Sequence, residues 1–328
     1  MLTAESKRIA VLTSGGDAPG MNAAIRAVVR ASLAHGYEVL GIRQGYTGLM
    51  NGDFLLMDAR SVGGIIDRGG TILGTSRCGR LKSDAGGLAA ANQLRSLSID
   101  TLIVIGGNGS HAGAHKLAQR GARVIAIAST IDNDLPSCDV TIGATTAVET
   151  AVGAIDRLRV TASAHGRVFL VEVMGRDSGH LALAAGLAGG AESIVLPEIE
   201  VDPEEVAGQI LATYRRGKSH AIVVVAEGAR YNADSLAKHF IAHQDRLGFE
   251  LRVTKLGHIQ RGGVPCVFDR VIASQLGAAA VEHAAAGEFG VTLGVSSGRV
   301  TSTPLSAVVG ASKPLDRHLF DLAQALAQ

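Results

Sequence analysis

Apolar residues along this chain gather in short unbroken runs: Arg8 to Leu12, Tyr37 to Ile42, Leu102 to Ile105, Val124 to Ala128, Val168 to Val173 and Ala221 to Ala226. Runs this short, rich in β-branched side chains and ended by turn residues, predict strands buried on both faces, the condition of a parallel sheet. Between them the pattern turns helical. After Pro19, the residues Met21, Ala24, Ile25, Val28, Val29 and Leu33 step by three or four, and Gly36 supplies a helix stop. Over 144–160, Ala147, Val148, Ala151, Val152, Ile155 and Leu158 repeat that spacing, and the alanine-rich 276–286 predicts a further, weakly specified helix. Strand alternating with helix predicts an α/β fold. The alternation restarts after the 144–160 helix, so the expectation is two sheets with a boundary near 143.

Composition narrows the function classes. A length of 328 residues fits about two domains. The 42 glycines come with only 7 prolines and no Gly-X-Y period, which excludes collagen, and 47% apolar residues exclude a disordered chain. With 31 basic against 30 acidic residues, there is no bulk field to gather nucleic acid or an anionic membrane, and neither partner is expected. Any anion site must be local. The longest apolar region, 181–196, is interrupted by Gly186, Gly189, Gly190 and Glu192 and falls short of a membrane helix. The apolar stretch at the N-terminus is too short for a signal-peptide core. Cys78, Cys138 and Cys266 are odd in number and lack a CxxC pair, against both a disulfide framework and a zinc site built on them; a reducing cytoplasm is the expected location.

In open parallel sheets, ligands bind beyond the carboxyl ends of the strands, so the loops after the apolar runs are where function is sought. The first run leads into Thr13-Ser14-Gly15-Gly16-Asp17-Ala18-Pro19-Gly20 and a helix. Leu102 to Ile105 leads into Gly106-Gly107-Asn108-Gly109-Ser110 and another helix. Both offer backbone N–H groups uncovered by Cβ at a helix start, which suits a phosphate; either alone is equally a tight turn. Gly217-Lys218-Ser219 imitates the end of a P-loop, but Ala212 stands where the first glycine is needed and the tripeptide precedes a strand. Gly107, Gly109 and Ala112 satisfy the dinucleotide pattern G-x-G-x-x-G/A, a weak signal that leaves Ser129 to Asp134 without a use. Asp132 and Asp134 face one side if the backbone there stays extended, which sets two carboxylates beside a phosphate loop; the same segment also reads as an Asx-rich turn. Met174-Gly175-Arg176 and Gly257-His258-Ile259-Gln260-Arg261-Gly262-Gly263 place two arginines and a histidine at strand or loop ends among glycines, a candidate phosphate clamp.

Taken together, TSGGDAPGMNAAIR (13–26), RGGTILGTSR (68–77), IGGNGS (105–110), TIDND (130–134), AIDRLR (154–159), EVMGR (172–176) and LGHIQRGG (256–263) closely resemble the bacterial ATP-dependent 6-phosphofructokinase family, in order and spacing from about residue 7 to 285. The resemblance implies two Rossmann-like three-layer α/β domains with mainly parallel sheets. The ATP-binding domain would comprise 1–143 plus 260–308, and the fructose 6-phosphate-binding domain 144–259 plus 309–328. It further implies magnesium-dependent transfer of the γ-phosphoryl group of ATP to the 1-hydroxyl of fructose 6-phosphate, in glycolysis, by a homotetramer.

Carried over by motif, Asp132 is similar to the family's base, with Thr130, Arg77 and Arg176 steadying the moving phosphoryl. Gly16, Tyr46, Arg77, Cys78, Gly107, Asn108, Gly109 and Ser110 would surround ATP. Met174, Gly175, Arg176, Glu227, His258 and Arg261, with Thr130 and Asp132, would hold the sugar phosphate, joined by Arg167 and Arg252 from a neighbouring subunit. Asn108 and Asp134 are the candidate metal ligands. Arg26, Arg30, Arg159, Glu192, Arg216 and Lys218 match positions that in similar enzymes bind an ADP or phosphoenolpyruvate effector; Ala59 departs from the arginine common there. Two alternatives stay open. A pyrophosphate-dependent enzyme usually carries Asp or another bulky residue where this chain has Gly109, and lysine where it has Ser129. A weakly active or regulatory subunit is suggested by Asn108, which replaces the family's usual aspartate.

Overall fold

The computed structural model describes residues 7–327, with Lys82 described by its backbone alone. Among the described residues the strands are β1 (Arg8–Ser14), β2 (Glu38–Ile42), β3 (Phe54–Met57), β4 (Thr101–Gly106), β5 (Val124–Ala128), β6 (Val168–Val173), β7 (Ser193–Val195), β8 (Ala221–Ala226), β9 (Leu251–Lys255), β10 (Val291–Ser296) and β11 (Arg299–Pro304). They form two sheets, ordered β11-β10-β5-β4-β1-β2-β3 and β7-β8-β6-β9. The first is parallel except at its two edges, where β3 and β11 run antiparallel to β2 and β10; the second is wholly parallel. The chain divides into two compact units, Met1–Thr145 with Arg261–Lys313 and Thr146–Gln260 with Pro314–Gln328.

All six apolar runs form strands, and the reason is burial on both faces. Every residue of β4, β5 and β8 is buried, so no polar alternation is needed to place them. On one face of the first sheet, Ala10, Leu12, Leu102, Val104, Val124 and Ala126 pack with Ala90, Leu94, Ala114 and Leu117. These last four come from the helices Asp84–Ser96 and Asn108–Ala118. The alternate residues Ile9, Val11, Ile103 and Ile105 face the other way and are equally buried. The helices Met21–Ala34 and Val267–Ala286 pack together, backbone against backbone at Gly277, where a Cβ would lie 2.6 Å from that of Ala27. In the second unit, Val168, Leu170, Val223 and Val225 pack with Val206, Ile210, Leu236 and Phe240, and Phe240 meets Phe249 edge-on at 5.6 Å.

Several expectations shift in detail. β2 begins at Glu38, one residue later than the apolar run. The helix predicted over 144–160 runs over Ala144–His165, and the one predicted over 276–286 runs over Val267–Ala286, started by the Cys266 thiol accepting from the Asp269 amide. Gly36 lies just past His35, the last capping residue, with φ +72°, a backbone that favours glycine.

Candidate active site

In the first unit, two glycine loops meet at the carboxyl ends of adjacent strands. β1 and β4 pair in register up to Ser14 and Gly106. There the Ser110 hydroxyl donates to the Ser14 carbonyl at 2.8 Å, in the space a Cβ on Gly106 would take. The Tyr46 hydroxyl donates to the Ser110 carbonyl at 2.7 Å. Full burial holds that phenol well above its ordinary pKa, so it stays a neutral donor. Tyr46 is 2% exposed and supports the loop through this bond. The 68–77 segment is laced onto the first loop, Thr75 Oγ1 donating to Gly15 O at 2.8 Å and Thr13 Oγ1 to Gly74 O at 2.9 Å. This brings Arg77, exposed, and Cys78, half-buried, to the same end of the sheet.

Gly16 has a specific reason to be glycine. A Cβ there would sit 2.5 Å from Arg261 Nη1, which crosses the loop and donates to the Asp17 carbonyl at 3.1 Å. Arg261 Nη2 lies 3.9 Å from Asp132 Oδ1, and Asp132 is 5% exposed. The loop after β5 is turned, not extended: Asn133 has φ +51°, and its own Oδ1 accepts from the Thr141 amide at 3.0 Å. The expected common side for Asp132 and Asp134 therefore fails, since it required extended backbone. Asp132 turns to Arg261, while Asp134 Oδ2 accepts from Asn108 Nδ2 at 2.7 Å. Thr130 Oγ1 accepts from the Asp132 amide at 3.2 Å, and Gly107 passes close enough that a Cβ would meet Thr130 Cβ at 3.1 Å. Gly109 faces open space, with no atom within 4 Å of where its Cβ would be.

His111 carries no sequence signal beyond lying after the glycines, yet it anchors this loop. It is fully buried, with Nδ1 2.9 Å from Gly107 O and Nε2 2.6 Å from Thr292 Oγ1. A carbonyl only accepts, so Nδ1 carries the proton and the neutral ring accepts from Thr292. Burial brings its pKa down to about 4.

The second unit contributes a different kind of site. β6 ends at Val173 and is followed by Met174, whose amide donates to Gln260 Oε1 at 2.9 Å. Gly175 follows at φ +144°, and a Cβ would run into the Ser178 carbonyl; Arg176 has φ +54°. The Arg176 amide donates to Glu227 Oε1 at 2.9 Å, and Gly228 has room for no side chain against the Arg176 carbonyl. The Arg176 side chain is left exposed, as is His258 on the turn Gly257–Gln260. Arg167 and Arg252 lie at the opposite end of β6 from Met174, sharing Glu250: Arg167 Nε at 3.0 Å and Arg252 Nη2 at 3.8 Å from its Oε2.

Four of the six effector candidates gather in this unit. Glu192, 5% exposed, accepts from the Ile222 amide at 2.7 Å and pairs with Lys218 at 3.3 Å and Arg159 at 4.0 Å. Arg159 also donates to the carbonyls of Gly189 and Gly190. Arg216 donates to Thr213 Oγ1 and the Ala327 carbonyl, and with Glu192 and Phe320 lines a cavity of about 210 Å³. Arg26 and Arg30 lie on the helix Met21–Ala34 of the first unit.

Two glycine loops at parallel strand ends, with a carboxylate and an arginine beside them, define an α/β protein built to handle phosphoryl groups. Residues 8–284 match the phosphofructokinase family. The chain is 48% identical over 321 residues to the ATP-dependent 6-phosphofructokinase of Thermotoga neapolitana, covering 98% of this chain and 99% of that one. To the enzyme of the same name from Clostridioides difficile it is 49% identical over 320 residues, with the same coverage. Among solved structures, Pichia pastoris phosphofructokinase in the T-state aligns with TM-score 0.88 at 33% identity, over 99% of this chain and 37% of that one. A pyrophosphate-dependent phosphofructokinase from Marinobacter aquaeolei aligns with TM-score 0.86 at 23% identity, over 95% and 86%, a likeness of fold. The chain belongs to the phosphofructokinase family. No helix among the described residues is long and apolar enough to cross a membrane.

Proposed function

We propose that the chain phosphorylates fructose 6-phosphate to fructose 1,6-bisphosphate with ATP, a step of glycolysis. The observation that carries this reading is the first unit's loop junction, where Asp132 and Arg261 stand beside two fastened phosphate loops and Gly109 leaves open space for a nucleotide. Asp132 accepts the proton of the sugar's 1-hydroxyl as that oxygen bonds to the γ-phosphorus and the bond to the β-phosphate oxygen breaks. Thr130, Arg77 and Arg176 spread the charge of the moving phosphoryl. Gly16, Cys78 and the loop from Gly107 to Ser110 hold ATP, backed by Tyr46. Met174, Gly175, Glu227, His258 and Arg261 hold the sugar phosphate. The first unit is thus the ATP-binding domain and the second the fructose 6-phosphate-binding domain.

Magnesium fits the donor set. Asp134 and Asn108 offer hard oxygen donors beside the loop, though the Asn108 amide must turn so that Oδ1 instead of Nδ2 faces the ion. When bound with ATP, it neutralises phosphate charge. Arg167 and Arg252, at the far end of β6 from Met174, support a homotetramer in which each subunit lends these arginines to a neighbour's sugar phosphate. The Glu192 cluster supports an ADP or phosphoenolpyruvate effector site. Cys78, Cys138 and Cys266 are free thiols, which supports a cytoplasmic location.

The test compares ATP with pyrophosphate as donor at varied magnesium. Product from ATP alone, and a fall in kcat of about 10²- to 10⁴-fold in Asp132→Ala, is the expected result. Faster turnover with pyrophosphate would replace ATP as donor. No product with either, alongside retained ligand binding, would make the chain a regulatory subunit.

A further inference from the structure

The second unit carries a side-chain cluster with no part in phosphoryl transfer. His239 and His243 stand four residues apart at the end of the helix Ala233–Ala242, so both rings lie on one face, their centroids 4.4 Å apart. Glu204, in the first turn of the helix Pro203–Arg215, brings a carboxylate oxygen to 2.7 Å from His239 Nε2. One ligand atom from each of the three side chains lies within 4.8 Å of the other two.

Two hydrogen bonds around the cluster are of the kind that orients ligands. His243 Nδ1 donates to the His239 carbonyl at 2.9 Å, which leaves the lone pair of Nε2 on the neutral ring. Arg246 Nη2 donates to Glu204 Oε1 at 2.6 Å, which steers the carboxylate. Hydrogen bonds of this kind, to the second ring nitrogen of a histidine and to a ligating carboxylate, orient ligands in metal sites and fix the tautomer. A tetrahedral ion with bonds of about 2.0–2.2 Å needs its ligand atoms roughly 3.4 Å apart. Glu204 and His243 are exposed, which leaves their side chains room to turn toward that spacing.

From these residues we propose that Glu204, His239 and His243 bind a divalent transition ion of the zinc type, with water completing the shell. Two imidazoles and one carboxylate suit zinc, cobalt, nickel or copper, whereas magnesium prefers six oxygens in an octahedron. The site is therefore chemically separate from the magnesium of the nucleotide. A bound ion ties the start of one helix to the end of another, and because the unfolded chain lacks this arrangement, binding stabilises the native state.

The test uses tag-free, full-length protein stripped of metal and titrated with cobalt as a spectroscopic stand-in for zinc. One equivalent is expected to develop the visible bands of tetrahedral cobalt, displaced by zinc and untouched by excess magnesium. His239→Gln and His243→Gln are each expected to weaken cobalt binding at least tenfold, with far-UV circular dichroism unchanged. An affinity unchanged in either histidine variant would overturn the site. So would a sulfur-to-cobalt charge-transfer band, which would assign the ion to a cysteine, or no binding up to about 100 μM cobalt. None of these readings depends on kinase activity.

Discussion

The candidate sites of the two units are built on opposite plans. In the glycine loops of the first unit, the groups offered to a ligand are largely backbone, and side chains work from beneath: Ser110 ties one loop to the other, Tyr46 supports Ser110, and His111 holds Gly107. In the second unit, the backbone is shaped, by Gly175 and by Arg176 at φ +54°, only so that an exposed guanidinium and the His258 imidazole can reach outward. A backbone site loses function when its geometry is disturbed, and stability falls with it. A side-chain site loses function when a charge is removed, and stability hardly notices.

That contrast can be broken most severely at Arg176. Arg176→Ala is expected to lower kcat by about 10²- to 10³-fold, the cost of one donor to a developing charge, while the urea midpoint stays put because the side chain is exposed. A matching loss of stability would erase the distinction. The next largest effect is expected at His111 and is read by pH. Its native pKa of about 4 lies below the unfolded value near 6.5, so between those pH values the unfolded chain binds more protons and stability falls as pH drops. The total is roughly 3 kcal/mol, measured by urea unfolding across pH 4 to 6.5, and His111→Gln should flatten the slope.

Smaller effects sharpen the comparison. Asn108→Asp restores a negative charge next to Asp134, and the magnesium needed for half-maximal rate is expected to fall by about tenfold, about 1.4 kcal/mol of binding. An unchanged requirement would remove residue 108 from the metal shell. Ser110→Ala cuts the tie between the two loops and should cost about 1 kcal/mol in urea unfolding, with a rise in KM for ATP that exceeds any change in KM for the sugar phosphate.

The strands that the hydrophobic pattern exposes are those covered on both faces; those it misses are edges or interrupted strands. β3 leaves Leu55 and Leu56 exposed, β11 is largely polar, and β10 is broken by Gly294, needed because a Cβ there would meet Cys138 at 2.5 Å. The glycine loops were legible because a phosphate loop writes itself in residue type. The αL turn at Asn133 was not, because asparagine is equally at home in extended backbone until Thr141 arrives to hold it. His111 escaped for a related reason: its partner Thr292 lies 181 residues away. Tyr46 was expected beside ATP from the resemblance, but its bond to Ser110, 64 residues away, was not legible.

The reach of Arg261 across Gly16 bears on how the protein is made. Its partner carbonyl, Asp17, is 244 residues earlier in the chain, with the whole interior of the second unit translated in between. At about 5–20 residues per second, the ribosome delivers this guanidinium roughly 10 to 50 s after the loop that receives it. Until then the nascent first unit has at most β1 to β5 and its two glycine loops, with neither the arginine beside Asp132 nor the strand β10 that pairs with β5. A half-made chain therefore lacks the arginine that completes the surroundings of Asp132 until the last fifth of the sequence is delivered.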